Sequence, residues 1–418
     1  MKTQRIYYLL FGIVGLLAFS SCPSPAGGGG GVPPYIITGN DTELYTATKD
    51  GVTIGVLGQP IQDIIDEIKA DAMGENCSIQ FGDGTELDID TDYVDFDGGT
   101  GGNDWGIISL SGKITSARDN TYTPNTAVYL QNGVSVTSKA DIKNTGTNGN
   151  GIQNTGSGTL TISGGAISAQ YAAVYNNSSC TINISGGTIS KSTDTPNYAV
   201  YSESTAGGAV NISGGTISVT TGRAVCCVSA VALNISGGTI SATTGRAIVV
   251  SGKTVISGGT ITSANTDTIG GQGTIHSSGT NPAANAGLEI SGGTIRNTSS
   301  SGAAISYRSS AGAVRLLGGT ISANTTANAV SYSTSSTSNL ILGGSPNITG
   351  KIFAPGGTNA TIEVITGFAP GSRNYTIVFS AWSNGNIAVV NGAAFLDSFT
   401  LDSAYHLEQS GTDLIMQL

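Results

Sequence analysis

Between residues 162 and 346 one short unit, seen most clearly as Ile184-Ser185-Gly186-Gly187-Thr188-Ile189, occurs eight times with small changes. The first glycines of the copies are Gly164, Gly186, Gly214, Gly237, Gly258, Gly292, Gly318 and Gly343, so the steps are 22, 28, 23, 21, 34, 26 and 25 residues. No 3.6-residue apolar period runs inside a step, and a unit this short cannot bury an apolar face alone. Consecutive copies must therefore stack on one another, which is the signature of a solenoid.

The residues around the glycines say what is stacked. Ile182-Asn183-Ile184, Val210-Asn211-Ile212, Leu233-Asn234-Ile235 and Leu288-Glu289-Ile290 alternate with period two, hence strands with one face inward. The next apolar residue comes five positions later, at Ile189, Ile217, Ile240 and Ile295. Five is odd, so an unbroken strand would turn that residue outward. The paired glycines are expected to form a corner or bulge that resets the face. A second strand signature follows a loop of variable length, as Ala127-Val128-Tyr129, Ala173-Val174-Tyr175, Ala199-Val200-Tyr201, Ala224-Val225-Cys226 and Ala247-Ile248-Val249. Like strand should lie on like strand at about 4.8 Å, as parallel sheets around a narrow apolar core.

These residues resemble the right-handed parallel β-helix of the pectin-lyase-like superfamily, and in particular bacterial surface lipoproteins with runs of Asn-Ile-Ser-Gly-Gly-Thr-Ile. The resemblance covers about residues 78–350 and implies an all-β fold, a right-handed parallel β-helix solenoid. It implies no single activity, because that superfamily includes lyases, hydrolases, adhesins and proteins with no known ligand. Degenerate copies at Leu110-Ser111-Gly112-Lys113-Ile114 and over residues 134–142 place the start of the coil before the clean repeats.

Composition separates this chain from disorder. It has 62 glycines in 418 residues, 11% charged residues and a mean hydropathy of +0.09, yet β-branched residues recur at fixed offsets, which disordered low-complexity chains lack. Residues 33–104 hold 16 acidic residues against Lys49 and Lys69, a balance of −14, whereas residues 105–350 have a balance of +5. Basic runs interleaved with aromatics are missing, so nucleic acid is not an expected partner.

The first 22 residues read as an export signal: Lys2 and Arg5, an apolar run over residues 6–19, then Ser20-Ser21-Cys22. Cys22 after small residues resembles the lipobox of bacterial lipoproteins, with Phe19 where the strict form has Leu or Val. The resemblance implies diacylation at Cys22, a membrane as partner, and residence in the cell envelope at the outer membrane or cell surface. Residues 23–32, with five successive glycines, form a flexible tether. Cys77, Cys180, Cys226 and Cys227 follow no disulfide or metal spacing and are read as packing residues.

Residues 33–104 read as an acidic cap holding one helix and the first coil. Ile61, Ile64, Ile65 and Ile68 have the spacing of one buried helical face after Pro60, and Gly74 is placed to end the helix. Such a short N-terminal helix suits the open end of a solenoid. Asp88, Asp90 and Asp92 alternate with apolar or neutral residues; the default is a solvated acidic strand, with calcium as the rival, although the EF-hand pattern is absent. Residues 105–350 are the repeats, and 351–418 the last coils with a C-terminal β cap or a separate small β-domain.

Chemistry is sparse. The acids of the repeat region are dispersed, with Asp194 and Glu203 the pair closest to meeting across a loop, whereas a glycosidase needs two carboxylates about 5 to 9.5 Å apart. His276 and His406 are expected at the surface without partners. No cofactor is implied, and no catalytic residue is assigned. Two sets of residues are candidates for binding. Arg223 and Arg246 occupy equivalent places one coil apart, and Tyr129, Tyr175 and Tyr201 mark one position in successive strands; if the rings point outward they form a ladder for sugars, and if inward they are core. The expectation is a monomeric, non-catalytic, lipid-anchored envelope protein for adhesion or glycan binding. Its rivals are a carbohydrate-active enzyme and a structural stalk.

Overall fold

The computed structural model describes residues 33–40, 44–101, 104–192, 197–266, 273–277, 287–308, 312–332, 340–354, 362–379 and 385–418. Cys22 and the tether lie outside these residues. From Pro33 to Leu418 the chain is one compact unit, a parallel β-solenoid of about 11 turns with 55% strand and 5% helix.

From Ser135 to Ala354 each turn has three strands. In one turn Thr181–Ile184 forms the first face, Ser185-Gly186-Gly187 the corner, Thr188–Lys191 the second face, and Tyr198–Ser204 the third. The next turn repeats this as Ala209–Ile212, Thr216–Val219 and Arg223–Ser229. The third faces make a 13-stranded sheet. The first and second faces are joined into a 27-stranded sheet because strands β4 (Cys77–Asp88) and β6 (Ile107–Ser116) run across both.

Register places like residues over like residues. Ile162, Ile184, Ile212, Ile235, Ile256 and Ile290 are successive partners on the first face. Ile167, Ile189, Ile217, Ile240, Ile261 and Ile295 are successive partners on the second. Val174, Val200, Val225, Ile248 and Ile275 are successive partners on the third. These side chains are 0–1% exposed, so three aliphatic columns fill the axis. Full burial of each such side chain contributes about 1.5–3 kcal/mol. Outside the first face, Asn211 Nδ2 donates to Asn183 Oδ1 and Asn234 Nδ2 to Asn211 Oδ1, both at 2.9 Å, giving a polar ladder parallel to the apolar one.

The glycine pair turns the corner for two different reasons. Gly215 has φ +76°, a conformation L side chains rarely adopt, and this reversal brings Ile217 inward five residues after Ile212. Its neighbour Gly214 has no such φ, but a Cβ there would stand 2.3 Å from the Ser185 carbonyl oxygen of the turn below.

The ends are capped by non-repetitive structure. The sequence reading missed three antiparallel strands, β1 (Tyr35–Asn40), β2 (Leu44–Lys49) and β3 (Val52–Gln59), of which β1 also pairs in parallel with β4. Helix α1 (Ile61–Ala72) packs against β2, β3 and β5 (Val94–Asp97) and buries Ile61, Ile64, Ile65 and Ile68 as its spacing predicts. Pro60 sits just before the helix, and Met73, at φ +50°, ends it before Gly74 does. Beyond Gly350, Lys351–Ala354 and Tyr375–Phe379 continue the third face, so these residues belong to the same unit as the repeats. The antiparallel strands His406–Ser410 and Asp413–Gln417 then close the first face through Ile387–Val390.

Candidate functional site

On the third face, strand alternation decides which way the tyrosines point. Val174 and Asn176 are buried, and Tyr175 between them is partly exposed; Tyr201 and Tyr129 behave in the same way. The three rings therefore face outward. Tyr307 and Tyr332, each 1% exposed, belong to a different, inward column that is in register with Ser277. The ladder is not unbroken, however. A turn with strand Asn150–Asn154 lies between Tyr129 and Tyr175, and puts Gln153 in the column. Its Gly-Ile-Gln sequence lacks the Ala-Val-Tyr signature, so the sequence pattern alone does not reveal this turn.

Around Tyr175 and Tyr201 the rings gather. Tyr175 and Tyr201 stack across one turn with centroids 5.5 Å apart and planes 12° from parallel. Tyr198, three residues earlier in the same strand, stacks on Tyr201 at 4.2 Å and 11°. Tyr171, at the corner before the third face, meets Tyr175, Tyr198 and Tyr201 edge-on at 6.3, 5.6 and 6.5 Å. Tyr171 and Tyr198 were not among the expected site residues, although Tyr171-Ala172-Ala173-Val174-Tyr175 and Tyr198-Ala199-Val200-Tyr201 carried the signal.

Two charged side chains fix this layer. Glu203 accepts hydrogen bonds from Tyr175 Oη at 2.7 Å and from Tyr201 Oη, so each carboxylate oxygen is occupied. Arg223 Nη1 donates to Tyr198 Oη at 2.9 Å with its guanidinium 5.2 Å from the ring centroid. Burial, and then the bond to Glu203, push the Tyr175 and Tyr201 phenols well above the ordinary tyrosine range. Both are held neutral, as hydrogen-bonding aromatic platforms. Arg223 and Arg246 are register partners at one end of the layer, as their spacing predicts. Cys226 follows Tyr201 in the outward column, and burial pushes its thiol up to about 12, which disfavours the thiolate at neutral pH.

Tyr129 belongs to a second aromatic group. It meets Tyr93 edge-on at 6.4 Å, and the Arg118 guanidinium lies 4.3 Å from the Tyr93 centroid and 4.7 Å from that of Tyr122. Arg118 Nη1 donates to the Thr91 carbonyl at 2.7 Å. Gln153 separates the two groups along the face.

Comparison with protein-family models, with curated proteins and with solved structures finds no match.

Other expectations resolve differently. Strand β4 ends at Asp88, Asp90 takes φ +42° in a turn whose N–H bonds to Asp88 Oδ1, and Asp92 lies beyond that turn. The three carboxylates do not share a strand face. Among the described residues no three His, Cys, Asp or Glu side chains come together as a metal would need. His276 is buried, at 8%, within the third-face strand Ile275–Ser277; the surface expectation failed because the long 34-residue step hid a strand. His406 is exposed and hydrogen-bonds to Glu408 at 3.0 Å. Cys77, Cys180, Cys226 and Cys227 are free and buried. Asp194 lies outside the described residues.

Proposed function

We propose that this chain is a non-catalytic glycan-binding or adhesion protein of the bacterial cell envelope, held to a membrane through lipid on Cys22. The observation that carries the binding surface is the outward layer of Tyr171, Tyr175, Tyr198 and Tyr201. Sugar rings present C–H faces that pack on aromatic rings, and their hydroxyls pair with phenols and guanidinium groups. Pre-stacked rings offer an aromatic surface without rearranging, which lowers the ordering cost of binding. Glu203, whose two oxygens serve the phenols, supports a positioning role rather than a base. The superfamily resemblance and the lipobox at Cys22 support an envelope setting.

The test is a glycan array probed with the body from residue 31 onward, followed by titration of a hit against Tyr175→Ala/Tyr201→Ala. Removing two stacking rings should weaken the hit about tenfold, the equivalent of about 1.4 kcal/mol. Unchanged affinity would remove the tyrosine layer from the function. Cleavage of a bound glycan would instead favour the carbohydrate-active alternative. Palmitate labelling of the full chain, lost in Cys22→Ala, tests the anchor; labelling that persists in the variant contradicts it.

A further inference from the structure

Of the ten large apolar side chains exposed among the described residues, five (Leu44, Val52, Val56, Leu57 and Met73) fall within the N-terminal cap. Three of them, at 65, 61 and 67%, are on β3 alone. That strand pairs with β2 on one side, and its sequence, Val-Thr-Ile-Gly-Val-Leu-Gly-Gln, contains no charge. Solvent-facing edge strands are usually blunted by charged side chains. The strand at the opposite end of the solenoid, His406–Ser410, obeys this with exposed His406 and Glu408.

β3 is also shaped. Its register with β2 jumps between Ala47↔Ile54 and Tyr45↔Gln59, so the intervening residues bulge out of the ladder. Gly55 and Gly58, both at φ +73°, bracket the bulge and leave Val56 and Leu57 at its tip. The tip is tied back to the body, because the Val56 N–H donates to Glu67 of α1 at 3.2 Å. Two apolar residues are thus held outward on a bonded support.

We infer that this tip inserts into the lipid surface to which the chain is tethered, so that the solenoid stands on its N-terminal cap. The inference rests on the proposed anchor at Cys22. Ten residues separate Cys22 from Pro33, a reach of at most about 35 Å, so the start of the cap stays within that distance of the lipid. Tethering raises the local lipid concentration enough for a few apolar side chains to suffice. Charge selects the kind of surface. The cap region carries a balance of −14, so a zwitterionic surface is favoured over an anionic one.

The test uses the full acylated chain in phosphatidylcholine vesicles, with a bimane label on Leu57→Cys and, separately, on Ser403→Cys in the distal exposed turn. The four described native thiols are buried and remain unlabelled. Brominated acyl chains should quench the label at position 57 at least threefold and leave the label at 403 unchanged. Adding Val56→Asp should abolish the quenching while the protein still floats with the vesicles. Replacing a third of the lipid with phosphatidylglycerol should reduce quenching at low salt. Absence of quenching at 57 in a protein that floats, or stronger quenching on the anionic vesicles, overturns the inference. Failure to float is a failure of the anchor reading alone, and a His tag replacing residues 1–22 on nickel-chelating lipid then supplies the tether for the same measurement.

Discussion

Tyr175 and Tyr201 occupy one register position in neighbouring turns, stack with centroids 5.5 Å apart, and donate their hydroxyls to the same carboxylate, that of Glu203. The pair therefore behaves as one unit, and its protonation is tied to the fold.

Burial and Glu203 raise both phenols above their unfolded value of about 10. A raised folded value favours the protonated form, so the stability it supplies is complete below about pH 10 and is lost as pH climbs through the folded values. Alkaline titration at 295 nm should show phenols that resist ionisation until the chain unfolds. In Glu203→Gln a subset should ionise at lower pH; an unchanged curve contradicts the shared carboxylate.

The cap should respond to acid. Tyr35 Oη donates to Asp71 Oδ2 at 2.6 Å and Lys49 Nζ to the same oxygen at 3.2 Å, and these bonds, the Tyr35 one foremost, hold Asp71 below the usual carboxylate value. A lowered folded value gives stability that is present above the unfolded pKa of about 3.9 and is lost as pH falls through the folded one. Melting temperature measured between pH 5 and pH 2 should fall less steeply in Asp71→Asn than in the parent chain. Parallel slopes would contradict this.

Removing part of one aliphatic column should cost more than removing the ladder outside it. Ile212→Ala leaves a cavity between Ile184 and Ile235 and is expected to cost about 2–5 kcal/mol. Asn211→Ala, one residue away, deletes two partly exposed amide bonds and should cost about 1 kcal/mol. Chemical denaturation of both variants checks the order; equal costs would contradict it.

Two glycines separate backbone strain from close approach. Gly207 and Gly215 both have positive φ, at +97° and +76°, but a Cβ on Gly207 meets nothing within 4 Å whereas one on Gly215 stands 2.7 Å from the Gly186 carbonyl oxygen. Gly207→Ala should cost about 1–2 kcal/mol from conformation alone, and Gly215→Ala clearly more. Similar unfolding midpoints for the two would show that the corners are looser than described.

The columns were legible because strand period and glycine spacing are local signals that every turn repeats. Ile184, Ile212 and Ile235 could be assigned to one column without any knowledge of the loops. The glycine corner was legible for the same reason, through the odd interval from Ile212 to Ile217. Gln153 and His276 were missed because their turns keep the aliphatic position, Ile152 or Ile275, but lose the flanking alanine or tyrosine. The outward direction of Tyr175 was undecidable while Tyr307, one residue further along its strand, shared the apparent motif; register alone separates the two columns. Neither could sequence spacing bring Glu203 to Tyr175, since that contact is made between turns. The strands β1 to β3 precede the repeats and have no second copy to compare.

The most direct measurement is a deletion of one whole turn. Removing the 23 residues Ser213–Ile235 joins Ile212 to Ser236 in the register that Ile235 occupied, whereas removing residues 213–223 joins strands from different faces. The account predicts that the whole-turn deletion folds with parental circular dichroism per residue and a cooperative melt, and that the partial deletion does not fold. If both deletions fold equally well, or both fail, the repeat is not one winding of a continuous coil.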